Sequence, residues 1–259
     1  METFLPFGVL LQKSTDVRQG SIRTGNEIHN KKRLVKTSRY FLANENNIDA
    51  YKNKPDLKNL LEDAYFLAVI KRYLPSLQNV VAKAADTFGG IDVLINCAQA
   101  SASGVSLADH TTEQFDLAIY SGLYGTFYFM QACYPYLKET KGSVINFASG
   151  AGLFGNFGQC SYAAAKEGIR GLSRVAATEW SKDGINVNVI CPLAWTAQLE
   201  NFQKAYPEAF EKNVHTPPMG YFGNPETDIG RVCVQLAHPD FKYLTGETLT
   251  LEGGLGLRP

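Results

Sequence analysis

The chain has 259 residues, and its 25 Lys and Arg against 25 Asp and Glu give a formal net charge of zero. Hydrophobic residues make up 45% and charged residues 19%, which excludes a disordered chain and a general basic field for nucleic acid. No apolar run reaches the roughly 18 residues of a membrane span, and residues 1–11 lack the basic start of a signal peptide. We therefore expect a cytoplasmic globular protein with no nucleic-acid or membrane partner.

The neutral total hides an asymmetry along the chain. Residues 1–90 hold 14 Lys and Arg and 9 Asp and Glu, a balance of +5, which leaves 11 and 16, a balance of −5, for residues 91–259. The same boundary separates a first part with weak periodicity from a second part with clear strands and helices. In the first part, short apolar runs predict strands at 7–11, 33–38 and 66–70, and Ser76 begins a predicted helix that ends before Gly89.

From residue 91 the elements alternate regularly. The pattern predicts strands at 91–96, 142–148, 185–190 and 248–251, and helices at 112–138, 161–182 and 226–237. Gly184 is a predicted helix cap, Cys191-Pro192 ends the third of these strands, and residues 198–214 form a polar helix or a flexible loop. Strands that alternate with helices at this spacing predict right-handed crossovers, and so a doubly wound parallel α/β sheet covered on both faces.

The cysteines argue against both metal binding and disulfides. The five are scattered, and the closest two are 27 positions apart, namely Cys133 and Cys160; the others are Cys97, Cys191 and Cys233. No pair has the spacing of metal ligands, so we predict no metal site. An odd, dispersed set is typical of reduced thiols in a cytosolic protein.

Three side chains in the second part carry a possible proton-transfer chemistry. Tyr162 and Lys166 are four residues apart and share one helix face, and Ser149 follows a strand thirteen residues earlier. A Lys ammonium beside a phenol favours the phenolate, so we expect the pKa of Tyr162 to be lowered. A tyrosine of this kind exchanges a proton with a carbonyl or alcohol oxygen, and Ser149 is placed to stabilise that oxygen.

These motifs resemble the short-chain dehydrogenase/reductase family, a single-domain Rossmann fold that uses NAD or NADP. The resemblance covers 88–259, about two-thirds of the chain. The segments that carry it are Phe88 to Asn96, Asn146 to Ser149, Ser161 to Lys166, Ile185 to Pro192 and Thr245 to Gly254. It implies one domain over 1–259, with an atypical nucleotide-binding half at 1–87, a catalytic half at 88–259 and a substrate-covering segment at 193–224.

The resemblance also implies the site. Tyr162 would be the acid/base in hydride transfer between nicotinamide and a ketone or secondary alcohol, with Ser149 orienting the carbonyl and Lys166 lowering the Tyr162 pKa and binding the nicotinamide ribose. The residues that it implies for cofactor binding are Asn96, Ala98, Tyr162, Lys166, Pro192, Ala194 and Thr196. It further implies a homodimer or homotetramer and a small-molecule substrate.

The sequence departs from the family pattern at several cofactor positions. Only Thr15 and Gly20 match the glycine-rich turn that should bind pyrophosphate. Gln99 stands where the family has a glycine after its fourth strand, predicted here at 91–96. Gly122 stands where many members have an asparagine that holds a water in the proton relay, and Ser121 beside it is a candidate substitute. Ile70 and Lys71 stand where an aspartate should contact adenine, and Arg39 is a candidate for a 2′-phosphate, favouring NADP, or a solvated charge.

Three interpretations remain open at this point. The first is an active NAD(P)-dependent oxidoreductase with an altered cofactor end, which the retained Ser149, Tyr162 and Lys166 favour. The second is a weak or inert binding subunit of the same fold that has lost the dinucleotide. The third is that residues 1–87 are not the native partner of the rest, through a frame error or an exon change.

Overall fold

The computed structural model describes residues 34–37, 77–205 and 207–256. Several features predicted above therefore lie outside the described residues: the strands at 7–11 and 66–70, the altered glycine turn, the missing adenine contact and Arg39. Within the described ranges, no helix is long and apolar enough to cross a membrane.

Five parallel strands form one sheet in the order β1-β2-β3-β4-β5. The strands are β1 (Leu34–Thr37), β2 (Val93–Asn96), β3 (Ser143–Phe147), β4 (Asn186–Pro192) and β5 (Thr248–Leu251). β1 overlaps the strand predicted at 33–38 and pairs directly with β2. β4 does not end before Cys191 as predicted, because Cys191 and Pro192 still pair with β5. The parallel order confirms the predicted doubly wound α/β class.

Helices connect the strands and cover the sheet. They are α1 (77–88), α2 (Thr112–Ala118), α3 (Gly125–Thr140), α4 (Gly150–Phe154), α5 (Cys160–Trp180), α6 (Ala197–Ala205), α7 (Pro207–Asn213) and α8 (Arg231–Leu236). Successive strand side chains point to opposite faces, so β2 sends Leu94 into one core and Val93 and Ile95 into the other. The first core contains Met130 from α3, and the second contains Cys233 from α8.

Three predicted helical segments are divided in the structure. The helix predicted at 112–138 is α2 and α3 joined by a π-turn, Ile119–Tyr124, in which the backbone widens by one residue. The segment at 198–214 is helical rather than a loop, and it divides into α6 and α7. The helix predicted at 226–237 begins as a second π-turn, Pro225–Gly230, before α8. Local periodicity does not reveal these interruptions, because the side-chain pattern continues through them.

Helix ends agree better with the sequence. α5 continues as a short 3₁₀ turn, Ser181–Asp183, and stops at Gly184, whose φ of 74° is the left-handed conformation that glycine adopts without strain. Gly89 ends α1 in the same way, with φ 74°. The predicted cap at Gly184 is thereby confirmed.

Candidate active site

The chemistry-bearing residues meet at the carboxyl edge of the sheet, where parallel sheets bind ligands. Asn96 is the last residue of β2, Ser149 follows β3 by two residues, and Pro192 ends β4. α5 runs beneath this edge and carries Tyr162 and Lys166 in its first two turns. Four separate segments of the chain therefore contribute to one site.

Ser149 and Tyr162 are brought together by a short helix that the sequence analysis missed. The Ser149 hydroxyl caps α4 by accepting the backbone N–H of Ala151 at 3.1 Å. The Ser149 side chain is close enough to the Tyr162 hydroxyl to lower the pKa of that phenol by hydrogen bonding. The glycine-rich connection after β3 is thus a helical turn that fixes Ser149 against the start of α5.

Lys166 lies directly behind Tyr162. Its ammonium nitrogen is 5.4 Å from the centre of the Tyr162 ring and donates a hydrogen bond of 2.7 Å to the backbone oxygen of Phe147. The side chain is buried, at 4% exposure. The i, i+4 spacing predicted this neighbourhood, while the anchor at the end of β3 became visible only in the fold.

The expected pKa pattern needs a correction. Burial raises the pKa of Tyr162 above its ordinary value of 10.0, and the hydrogen bond from Ser149 offsets part of that rise. Burial lowers the pKa of Lys166 from 10.5 to about 8. The predicted lowering of the Tyr162 pKa by Lys166 is therefore wrong for this structure, because desolvation of the phenol outweighs the favourable interactions of the phenolate.

A chain of buried amide and hydroxyl groups supports the edge from below. Asn96 donates from Nδ2 to Asn146 Oδ1 at 2.8 Å, Asn146 donates from Nδ2 to Ser173 Oγ at 2.8 Å, and Ser173 donates to the backbone oxygen of Ile169 at 2.6 Å. This chain ties β2 to β3 and α5. Sequence reasoning missed it, although two asparagines inside otherwise apolar strands were a signal, since buried amides need partners.

The chain of buried amides predicts a stability effect. Asn146 is fully buried, so replacing it with Leu leaves the Asn96 amide and the Ser173 hydroxyl without one partner each. We expect N146L to lower the free energy of unfolding by about 2–4 kcal/mol in a urea titration. The matched control is N201L, on the exposed side of α6, where a change within about 0.5 kcal/mol is expected. Equal effects in both variants would show that the buried chain contributes no stability.

The residues predicted for cofactor binding present a mixed polar and backbone surface. Asn96, the last residue of β2, has a buried Oδ1 acceptor with no hydrogen-bond partner. Lys166 is a triple donor with one bond assigned to Phe147. Ala98 lies partly exposed in the loop after β2. An acceptor without a partner and a buried ammonium are groups that bind a ribose and a carboxamide, so these residues are compatible with the nicotinamide half of a dinucleotide.

The backbone after β4 is held in an extended form. Ala194 makes an isolated parallel bridge with Gly223, in which Trp195 donates its N–H to Gly223 O at 2.9 Å and Gly223 donates to Leu193 O at 3.3 Å. Thr196 is exposed, and its hydroxyl accepts the N–H of Leu199 at 3.3 Å at the start of α6. The predicted residues Pro192, Ala194 and Thr196 therefore form one edge that leads from the sheet into the substrate-covering segment.

Four half-buried aromatic rings gather in that segment. Trp195 stacks near Phe222, with ring centres 5.4 Å apart, and meets Phe210 edge-on at 6.1 Å; Phe202 and Phe210 are also 6.1 Å apart. Met219 of the same segment is 63% exposed. No group of three or more potential metal-ligating side chains occurs among residues that the structure describes.

A parallel α/β sheet with Ser, Tyr and Lys at its carboxyl edge defines a class of nicotinamide-dependent oxidoreductases, and the comparisons agree. The family model described as enoyl-(acyl carrier protein) reductase matches residues 73–256. A 12alpha-hydroxysteroid dehydrogenase of Clostridium sp. (strain ATCC 29733 / VPI C48-50) is 74% identical over 188 residues, 73% of this chain and 71% of that protein. A 3-oxoacyl-[acyl-carrier-protein] reductase of Thermotoga maritima is 34% identical over 194 residues, 74% of this chain and 76% of that protein.

Solved structures give the same result. ElxO with NADP bound superposes with a TM-score of 0.64 at 26% identity, over 70% of this chain and 73% of that one. The chain belongs to the short-chain dehydrogenase/reductase family and has its Rossmann-like fold. It is an NAD(P)-dependent oxidoreductase that transfers a hydride between nicotinamide and a ketone or secondary alcohol of a small-molecule substrate.

Proposed function

We propose that the chain is a hydroxysteroid dehydrogenase that interconverts a 12α-hydroxyl group and the corresponding ketone with NADP. The observation that carries this proposal is the 74% identity to a 12alpha-hydroxysteroid dehydrogenase over 188 residues, 73% of this chain. The choice of NADP is supported by its presence in the ElxO structure.

We assign the chemistry to Ser149, Tyr162 and Lys166. In oxidation Tyr162 takes the proton of the substrate hydroxyl, and in reduction it returns a proton to the carbonyl oxygen. Ser149 orients that oxygen through its hydroxyl, while its bond to Tyr162 holds the two groups at one point. Lys166 stabilises the phenolate as it forms. The bound nicotinamide supplies hydride acceptance and donation at the substrate carbon.

The raised pKa of Tyr162 favours the reduction of a ketone over the oxidation of an alcohol at neutral pH. A phenol that stays protonated at neutral pH is ready to donate, which suits reduction of a ketone. Oxidation needs the phenolate, so its rate should rise as the pH increases. Because both reactions depend on Tyr162, we expect the rates of oxidation and reduction to change in opposite directions with pH.

We assign cofactor contacts to the edge described above. Asn96, Ala98, Pro192, Ala194 and Thr196 would line the nicotinamide and its ribose together with Tyr162 and Lys166. We also retain the division into a nucleotide-binding half at 1–87 and a catalytic half at 88–259 within one domain. The unpartnered Oδ1 of Asn96 supports this assignment, because it offers an acceptor at the sheet edge.

The aromatic cluster supports a flat apolar substrate. Trp195, Phe202, Phe210 and Phe222 offer ring faces and edges within the segment 193–224, directly after the residues assigned to nicotinamide. Rings of this type bury large apolar areas without needing polar partners, as a fused-ring steroid requires. An acyl chain on a carrier protein would instead need an open polar route for its pantetheine arm.

The proposal extends to a cytoplasmic homodimer or homotetramer. None of the five cysteines forms a disulfide, which is consistent with a reducing cytoplasm. Val175 on α5 and Val234 on α8 are more than half exposed, which supports association of copies through these helices as a homodimer or homotetramer.

The function is tested with positional isomers. Purified chain is mixed with NADP⁺ or NAD⁺ and a 12α-hydroxysteroid, and the reduced nicotinamide is followed by absorbance. We expect kcat/KM for the 12α-hydroxyl to exceed that of isomers with the hydroxyl at other ring carbons by at least about 100-fold, or about 2.7 kcal/mol in transition-state binding. Reduction of a 3-oxoacyl thioester without steroid turnover would contradict the proposal.

A further inference from the structure

Gln99 and Gly122 are complementary in size. Gln99 lies in the loop after β2, and its carboxamide covers Gly122 in the π-turn. A Cβ built on Gly122 would lie 2.6 Å from Gln99 Cδ, 2.7 Å from Oε1 and 2.9 Å from Nε2, closer than real Cβ contacts. Any larger residue at position 122 would therefore displace the Gln99 carboxamide.

Hydrogen bonds join the loop to the end of α2 and to the π-turn just before Gly122. Gln99 donates a long hydrogen bond of 3.5 Å from Nε2 to Ala118 O, at the end of α2. Ser121 accepts the N–H of Ala100 at 3.0 Å and donates to Ala100 O at 3.0 Å. Ser121, the candidate substitute for the missing asparagine, is thus occupied with the loop backbone.

Both segments adjoin the reactive pair. On one side, Leu123 of the π-turn packs on Gly168 of α5, where a Cβ would meet Leu123 Cδ2 at 2.8 Å, two residues beyond Lys166. On the other side, the Cys97 thiol in the same loop as Gln99 interacts electrostatically with Tyr162 and Lys166. A shift of the π-turn relative to the loop would therefore be transmitted to α5.

The amide is a costly choice for simple space filling. Gln99 Oε1 is buried and has no hydrogen-bond partner, a condition that lowers stability. Methionine has a similar length and would fill the same space without that cost. The polar group therefore requires an explanation other than packing.

We propose that Gln99 is a positioning residue of the active site. Its carboxamide, set over Gly122, fixes the π-turn against α5 and thereby the placement of Tyr162 and Lys166. The inference rests on the proposed function for those two residues. The Gln99 carboxamide fills the space that a side chain at position 122 would need. The two residues should therefore be exchangeable, with an amide side chain at position 122 and a glycine at position 99.

The test compares Q99M, G122N and the exchange Q99G/G122N, with Q131M on the exposed face of α3 as the control. For Q99M we expect kcat to fall at least about tenfold, the scale of misplaced catalytic groups, with KM for NADPH within about threefold. Its unfolding midpoint without cofactor should equal or exceed that of the wild type. G122N alone should lose both kcat and midpoint, because its Cβ meets the Gln99 amide.

The exchange variant best separates a joint positioning role of residues 99 and 122 from independent effects at the two positions. We expect Q99G/G122N to regain at least about tenfold in kcat over G122N, together with its lost midpoint, a non-additive recovery that independent sites do not show. The positioning role would be overturned if Q99M kept the kcat of the wild type, or if the losses of kcat simply added in Q99G/G122N. Either result would leave the proposed function intact. An inactive wild type would instead overturn the proposed function, and the role of Gln99 with it.

Discussion

Replacing Tyr162 with Phe is expected to lower kcat by about 10²–10⁴-fold, the contribution of a positioned acid/base group. The ring and its contact with Lys166 are kept, and only the hydroxyl that transfers the proton is removed. Affinity for NADPH, measured by fluorescence titration, should therefore change by less than about threefold. The comparison separates proton transfer from cofactor binding within one variant.

The matched control for Y162F is Y243F. Tyr243 is fully exposed and lies between α8 and β5, outside the substrate-covering segment. Its kcat should remain within about twofold of the wild type, since exposed positions tolerate small changes. Unchanged turnover in Y162F would remove Tyr162 from the acid/base role, whereas loss of NADPH binding in the same variant would place its hydroxyl in the cofactor site instead.

Replacing Lys166 with Met should have opposite effects on activity and stability. Turnover is expected to fall by at least about 10²-fold, because the buried phenolate loses its stabilising ammonium. The protein should nevertheless unfold less readily at pH 7. The native state holds this ammonium in a buried position that lowers its pKa to about 8, and Met occupies the same space without a charge.

The pH dependence of that gain follows from proton linkage. The Lys166 pKa is about 8 in the native state and about 10.5 in the unfolded chain. Between these values the unfolded chain binds more protons, so the stability of the wild type rises with pH. The difference between K166M and the wild type should thus be largest below about pH 8, at about 1–3 kcal/mol, and should shrink toward pH 10.5. The lost bond to Phe147 O, worth about 1 kcal/mol, reduces it uniformly.

Urea unfolding at a series of pH values measures this directly. K204M, at an exposed position of α6, is the control, and its difference from the wild type should stay constant across the same range. A K166M variant that is less stable than the wild type at pH 7, by a margin independent of pH, would show that the native ammonium is well solvated or well paired.

The strands and the reactive helix were predictable from sequence because their signals are local. The apolar runs 91–96, 142–148 and 248–251 are short and bounded by glycine, and each contains a strand of the sheet. One helix sets the spacing of Tyr162 and Lys166, so the prediction that they are neighbours does not depend on the rest of the fold. Family membership follows from the same part of the chain, since the family model begins at residue 73.

Contacts between distant segments were not predictable. The bond from Asn96 to Asn146 spans 50 positions, and the meeting of Gln99 with Gly122 depends on a π-turn that leaves no mark on periodicity. The prediction that the pKa of Tyr162 is lowered was wrong for a related reason. The sequence shows its charged neighbour four residues away but not how deeply the fold buries the phenol, and burial decides the direction.

The inert-subunit interpretation rested on cofactor positions that lie mostly before residue 77, outside the described sheet edge. Gln99 and Gly122 are two of the departures that the structure does describe, and their side chain and backbone fill one space. The family comparisons favour the enzyme over the inert subunit. The basic balance of residues 1–90 coincides closely with the part of the chain that precedes the family match.

The bridge between Ala194 and Gly223 makes the substrate-covering segment a closed loop whose two ends are pinned at the sheet. For such a loop the entropy of closure grows only with the logarithm of its length, so that doubling the enclosed chain costs about 0.6 kcal/mol. Insertions or replacements between the pinned ends therefore disturb the parallel sheet very little. We therefore expect that exchanging the enclosed chain alters substrate preference without moving Tyr162 and Lys166 on α5.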